Sequence, residues 1–220
     1  MTHFSLRQFL LNDYTKPLTK TAQKRSKSTL NNTDRIQSYY AEASDGYRDW
    51  SQKLNMHFGT FEWGINPFNL ESMLENTNRQ VLQSLQLKGD NNRVLDMGCG
   101  LGGTMRFAAH LPAIAQVTGV TIAANQVAEA EAISAAHPRK NKLAFINADY
   151  HNTGLKSESF DGAYAIESAC HSLEADKASL ISEAYRLLKP GRTFTLCDGF
   201  IKTVKPMNPA TRYCYQKTCK

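Results

Sequence analysis

The sequence predicts an α/β fold in which helices cover a parallel sheet. Two observations carry this. From residue 93 onward, short apolar runs alternate with longer helix-compatible segments, the rhythm of repeated strand–helix–strand units. Within that region, Val94-Leu95-Asp96-Met97-Gly98-Cys99-Gly100-Leu101-Gly102-Gly103-Thr104 runs from an apolar strand into four glycines within six residues, and Met105 to His110 then suits a helix. Glycines let the backbone turn sharply and approach a ligand closely. The N-terminus of the following helix offers unpaired N–H groups. Strand, glycine-rich turn and helix in that order build a nucleotide-type cofactor site.

The elements follow in order. Residues 1–30 are polar and basic, with Arg7, Lys16, Lys20, Lys24, Arg25 and Lys27 against Asp13 alone. Such a leader is expected to be solvated and disordered, an organellar address being the alternative. Residues 31–88 read as a helical and aromatic cap. A helix is expected over Asn31–Lys53, then an aromatic loop over Met56–Gly64, a turn at Pro67 and Asn69, and a second helix over Leu70–Leu87. Met73, Leu74, Val81, Leu82 and Leu85 give that helix an apolar stripe. Gly89 to Asn92 is a turn. Residues 89–220 form the cofactor-binding domain. Its strands are expected at Arg93–Met97, Gln116–Val120, Leu143–Asn147, Asp161–Ile166 and Thr193–Asp198, and its helices at Gly103–His110, Ala123–Ala136 and Lys177–Leu188.

The chain has 220 residues, 41% hydrophobic and 21% charged, with a net charge of +6. These values suit one soluble globular domain with an N-terminal appendage. No apolar run approaches the roughly 18 residues that span a bilayer, and no early apolar segment follows a basic start as in a secretory signal. The expected location is therefore cytoplasmic. Five cysteines, none in CxxC spacing, read as free thiols. Cys99, Cys170 and Cys197 fall within or beside apolar strands, where such thiols act as small hydrophobes. Neither a disulfide framework nor a metal is expected.

The pattern Asp-x-Gly-x-Gly-x-Gly-Gly at 96–103 resembles the first motif of class I S-adenosylmethionine (SAM) methyltransferases. Glycine spacing alone also admits a dinucleotide fold. The acid at the strand end, the mid-chain position and the lack of an acid closing the second strand argue for SAM. Ligands of such sheets bind at the carboxyl ends of the strands, so those ends supply the candidates. Besides the turn itself (Gly98, Gly100, Gly102), Asp96 closes the first strand and would hold the turn or the cofactor's ammonium; alternatively it caps local N–H groups. Thr121, with Asn125 and Gln126 nearby, stands where many SAM enzymes place a carboxylate on the ribose. It can bond the ribose hydroxyls, N-cap the next helix, or both. Asp149 would accept from the adenine amino group and Tyr150 would pack on the ring, unless the pair serves only turn and packing. Glu167 and His171 project where the methyl group should point and are the candidate general base and charge stabiliser; alternatively they cap the next helix.

Three further segments resemble one branch, the sterol, tocopherol and cyclopropane-lipid methyltransferases. They are Gly119-Val-Thr-Ile-Ala-Ala-Asn-Gln126, Ala165-Ile-Glu-Ser-Ala-Cys-His171, close to the Ile-Glu-Ala-x-Cys-His segment of sterol C-methyltransferases, and Leu187-Leu-Lys-Pro-Gly-Arg192, where Arg192 replaces a glycine. Tyr39, His57, Phe58 and Trp63 resemble the aromatic lid of these proteins; an aromatic wall suits a lipophilic acceptor and stabilises a passing cation. The alternative is that these rings pack the cap onto the sheet.

The resemblance implies a Rossmann-like sheet and methyl transfer from SAM to a small, lipophilic acceptor, with methylation at carbon favoured. O- or N-methylation of a small molecule, or a SAM-binding remnant without turnover, are the alternatives. A class I sheet normally ends in an antiparallel hairpin. The residues after Asp198, with Pro206 and Pro209, are too few to form it, so the sheet is expected to stop at strand five. That leaves an edge open to a homodimer. Nucleic acid is not an expected partner, since no Asn/Asp-Pro-Pro-Tyr-type motif follows the fourth strand.

Overall fold

The computed structural model describes residues 48–172 and 177–199. Five strands form one parallel sheet: β1 (Asn92–Met97), β2 (Ile114–Thr121), β3 (Leu143–Asn147), β4 (Phe160–Ile166) and β5 (Leu188–Cys197). Helix α1 (Leu70–Ser84) precedes the sheet. Helices α2 (Gly103–Ala109), α3 (Ala124–Ser134) and α4 (Ala178–Leu187) make the crossovers after β1, β2 and β4. The strand order is β3-β2-β1-β4-β5.

The core follows from the pleat. Successive strand side chains point to opposite faces. Val94 joins Val81, Leu82 and Leu85 of α1 and Met105 and Ala108 of α2 on one face. Leu95 and Met97 join Leu180, Ala184 and Leu187 of α4 on the other. β1 is thus covered on both sides, which is why its neighbouring Val94 and Leu95 are both apolar and both buried. Each fully buried Leu or Met there contributes about 1.5–3 kcal/mol.

The chain steps outward from β1 to β2 and β3, then returns to the far side of β1 for β4 and β5. The direction of winding reverses between β1 and β4. In an open α/β sheet that switch point opens a crevice at the carboxyl ends of the strands, which is where Asp96 and Glu167 lie.

All five expected strands and the four helices from α1 to α4 are present, and the differences are at their ends. Of the helix expected over Asn31–Lys53, residues 31–47 lie outside the described residues, and the described part is helical only through Trp50. Ser51–Lys53 leave the helix, and Leu54 follows in the left-handed region at φ 58. α1 stops at Ser84 rather than Leu87 because Gln86 and Gly89 both take positive φ. β5 begins at Leu188, earlier than expected. Its ladder with β4 breaks between the Phe160↔Leu188 and Gly162↔Thr193 pairs, around Gly191 at φ 70. The basic leader and the region of the expected missing hairpin lie outside the described residues. Among the described residues, no helix is long and apolar enough to cross a membrane.

Candidate functional site

The glycine-rich turn builds the floor of a cavity at the switch point. Gly98, Gly100 and Gly102 all take positive φ, at 101, 51 and 75, a conformation that side-chain-bearing residues rarely adopt. The turn is held down by two donors on one acceptor: the N–H groups of Gly98 and Cys99 both donate to Val120 O, at 3.0 and 2.9 Å. Gly98 and Gly100 line the cavity with Asp96 and Thr104. Gly102, expected to meet a ligand, does not line it. A Cβ there would lie 2.6 Å from Phe145 Cε1, so this glycine lets α2 pack closely on β3.

Asp96 is 4% exposed and lines the cavity. Among the described residues its carboxyl accepts no hydrogen bond. Tyr164, its register partner on β4, brings its hydroxyl near but outside hydrogen-bonding geometry, and that hydroxyl has no other partner. Burial pushes the Asp96 pKa up to about 7, only partly offset by the Tyr164 hydroxyl. A buried acid whose burial is so little compensated is the kind of group that a cationic ligand completes.

The other strand ends converge on the same cavity. Thr121 Oγ1 donates to Gln126 Oε1 at 2.8 Å and accepts from the Ala123 N–H at 3.3 Å, so it braces the start of α3. Both residues line the cavity, and the Gln126 amide nitrogen is not used in that bond. Asn125 does not line the cavity. Asp149 and Tyr150 line it after β3; the Tyr150 hydroxyl donates to Ser168 O at 3.0 Å. Glu167 and His171 line it after β4.

Glu167 is strained. Its φ of 47 is left-handed and costs about 1 kcal/mol or more for a non-glycine residue. Two contacts hold it. Its N–H donates to Cys197 O at 2.8 Å, and its carboxylate accepts from the Phe58 N–H at 2.7 Å, across 109 positions. Burial raises the Glu167 pKa, with Asp198 adding to the rise and the Phe58 donor opposing it. Burial lowers that of His171, against the pull of Asp198. The acid therefore holds a proton more readily than usual, and the imidazole stays neutral more readily.

The segment before α1 closes the cavity with Leu54, Met56 and His57. His57 Nε2 lies 2.9 Å from Asn78 Oδ1, which also accepts from Thr104 Oγ1 at 2.8 Å. Asn78 Nδ2 donates to Asn55 Oδ1 at 2.9 Å. These buried groups join the loop, α1 and α2. Arg106 adds bonds to Leu101 O and Lys53 O, at 2.6 and 2.9 Å.

Comparison with known proteins agrees with this geometry. A model of a methyltransferase domain matches residues 94–191. A sterol methyltransferase-like protein of Botryococcus braunii is 35% identical over 171 residues, covering 76% of this chain and 41% of its own length. A cycloartenol-C-24-methyltransferase of Oryza sativa is 31% identical over 184 residues, covering 82% and 50%. The chain thus spans about half the length of these relatives. A cyclopropane synthase of Mycobacterium tuberculosis superposes with a TM-score of 0.69 at 21% identity, over 86% of this chain and 67% of that one. The chain carries a class I SAM-dependent methyltransferase domain. It resembles the sterol and isoprenoid branch.

Within this methyltransferase domain the cavity gathers Asp96, Gly98, Gly100, Thr121, Gln126, Asp149, Tyr150, Glu167, His171 and His57. Among the described residues, two lid candidates do not line it. Trp63 is 96% exposed and meets the edge of Phe61. Phe58 is 62% exposed, meets Trp50 edge-on and reaches the site through its backbone N–H. Tyr39 lies outside the described residues. Cys170, expected among buried strand residues, is exposed on the 3-10 turn Ala169–His171. Sequence reasoning missed Asn78, Thr104 and His151. Asn78 and Thr104 are polar residues on helix faces, where apolar periodicity gives no signal.

Proposed function

We propose that the domain transfers a methyl group from SAM to a small lipophilic acceptor, with carbon as the favoured site of methylation. The observation that carries this is one cavity lined by the glycine turn, the buried Asp96 carboxyl, Glu167 and His171. The residues fit the cofactor. Asp96 would accept the ammonium, the Gln126 and Thr121 pair would meet the ribose hydroxyls, and Asp149 would accept from the adenine amino group. Gly98 and Gly100 keep the floor free of side chains. When bound, SAM supplies an electrophilic methyl on a sulfonium.

The chain's own residues then position and exclude water. Positioning of two reactants accounts for a large share of such a barrier. An alkene that has gained a methyl group carries positive charge on carbon. Glu167, which lines the cavity, would face that charge, and its raised pKa suits it to take up a proton. His171, whose pKa burial lowers, would be a second acceptor lining the cavity. The sterol relatives support carbon as the acceptor and a lipophilic substrate class.

The test uses methyl-labelled SAM with a panel of sterol and isoprenoid acceptors. Label should appear in an extracted lipophilic product, and Glu167→Gln should lower kcat by about 10²-fold or more with SAM affinity unchanged. Tight SAM binding with label transferred only to water-soluble amines or hydroxyls would overturn the assignment to carbon.

A further inference from the structure

Three side chains at the cavity form a hydrogen-bonded chain, and two of them, His151 and Ser172, have no part in the proposed reaction. His151 Nδ1 lies 2.6 Å from Asp149 Oδ1, and His151 Nε2 lies 2.9 Å from Ser172 Oγ. The His151 backbone N–H donates to the same Asp149 oxygen at 2.9 Å. Acid, imidazole and hydroxyl in this order have the connectivity of a hydrolytic triad. Exposure decides against a nucleophile. Asp149 and His151 line the cavity, but Ser172 does not and is 6% exposed. The hydroxyl sits behind the imidazole and holds it.

Proton bookkeeping follows from the partners. A carboxylate only accepts, so Nδ1 carries the proton. In the neutral ring Nε2 then accepts from the Ser172 hydroxyl. Both nitrogens are engaged, so the ring is a connector and not a free base. It connects two loops with different duties. Asp149 follows β3 at the proposed adenine end, and its second oxygen is not used by His151. Ser172 closes the turn after β4, directly behind Glu167 and His171. The Tyr150–Ser168 bond ties the same two loops at a second point.

We propose that Asp149, His151 and Ser172 act as a strut through which cofactor occupancy at the end of β3 holds the turn carrying Glu167 and His171. This rests on the SAM reading above. A donor on the free Asp149 oxygen fixes the carboxylate, the carboxylate fixes the imidazole, and the imidazole fixes Ser172. Both His151 and Ser172 are positioning residues, and the coupling is a free energy shared between two sites.

The experiment has two arms on the full chain. In the first, NMR of the ring nitrogens of His151 without ligand is expected to show the Nδ1–H tautomer. A predominant Nε2–H tautomer overturns the strut. In the second, S-adenosylhomocysteine binding is measured by calorimetry, and alkylation of Cys170 by iodoacetamide is followed by peptide mass spectrometry. Cys170 is exposed and belongs to the turn in question. The ligand should slow its alkylation about fivefold or more, the lower end of measured couplings. His151→Ala and Ser172→Ala should bind the ligand yet lose that slowing, and His151→Gln, whose amide can donate and accept, should restore part of it. Binding with undiminished slowing in both alanine variants overturns the strut alone. No binding by folded wild type overturns the cofactor reading and the strut with it.

Discussion

A buried carboxyl with only one tyrosine hydroxyl beside it is costly as an anion, and Asp96 is such a group. Its pKa of about 7 lies above the 3.8 of an unfolded aspartate. Between those values the native state binds more protons than the unfolded state, so this group makes stability fall as pH rises from about 4 through 7. Asp96→Asn should remove that slope from a plot of Tm against pH. A cationic ligand has the opposite preference and favours the carboxylate. Wild-type affinity for SAM should therefore rise between pH 5.5 and 7, with a proton released on binding. At pH 7 the Asn variant should bind about ten- to a hundredfold more weakly and show little pH dependence. Calorimetry in two buffers of different ionisation enthalpy measures both. Gly98→Ala is a different kind of change. At φ 101 a Cβ would overlap Ser168, whose hydroxyl donates to Met97 O at 2.6 Å. It should cost about 2 kcal/mol or more in stability, as read by urea unfolding, whatever the site binds.

Elements are joined here by buried polar groups as well as apolar faces. Asn78 on α1 holds Asn55, His57 and Thr104 together. Asn78→Ala strands all three and should cost about 2–4 kcal/mol. Faster proteolysis between residues 51 and 60 would show that the loop is what comes loose. On α4, Glu183 accepts from the Thr153 N–H and hydroxyl, at 2.8 and 2.6 Å, and pairs with Arg186. These donors, Arg186 foremost, hold its pKa down to about 2. A depressed carboxyl contributes stability above its unfolded pKa and loses it as pH falls toward the folded value. Glu183→Gln should therefore be less stable than wild type at pH 6, with the gap closing toward pH 2. These contacts mark what the sequence left unread. The strands, crossover helices and glycine turn were legible because alternation and glycine clusters are local signals. The inward polar face of α1 was not, since apolar periodicity counts Asn76, Thr77 and Asn78 as solvent-facing and all three are buried. The His151–Ser172 bond was not, since it joins residues 21 positions apart. Trp63 was placed over the site from its aromatic character, which gives a residue's size but not its direction.

At the scale of the molecule, the cavity wall is drawn from the carboxyl ends of β1 to β4 and from the loop before α1. A ligand there touches nearly every layer of the fold. It stabilises the native state by mass action, by about 2.7 kcal/mol at 100 times its Kd. For a domain of this size each kcal/mol moves Tm by about 2–4 °C. S-adenosylhomocysteine at that excess should thus raise Tm by about 5–10 °C. The shape of the transition then tells more than its midpoint. If the loop and the sheet unfold as one unit, calorimetry shows a single peak that moves intact. If the polar clamp at Asn78 is the weaker join, Asn78→Ala should split the peak, and the ligand should then move mainly the step in which the sheet and its glycine turn unfold. A single unshifted peak in folded wild type would mean that the cavity holds no such ligand, because a site built from four strand ends cannot bind tightly and leave the stability of the sheet unchanged.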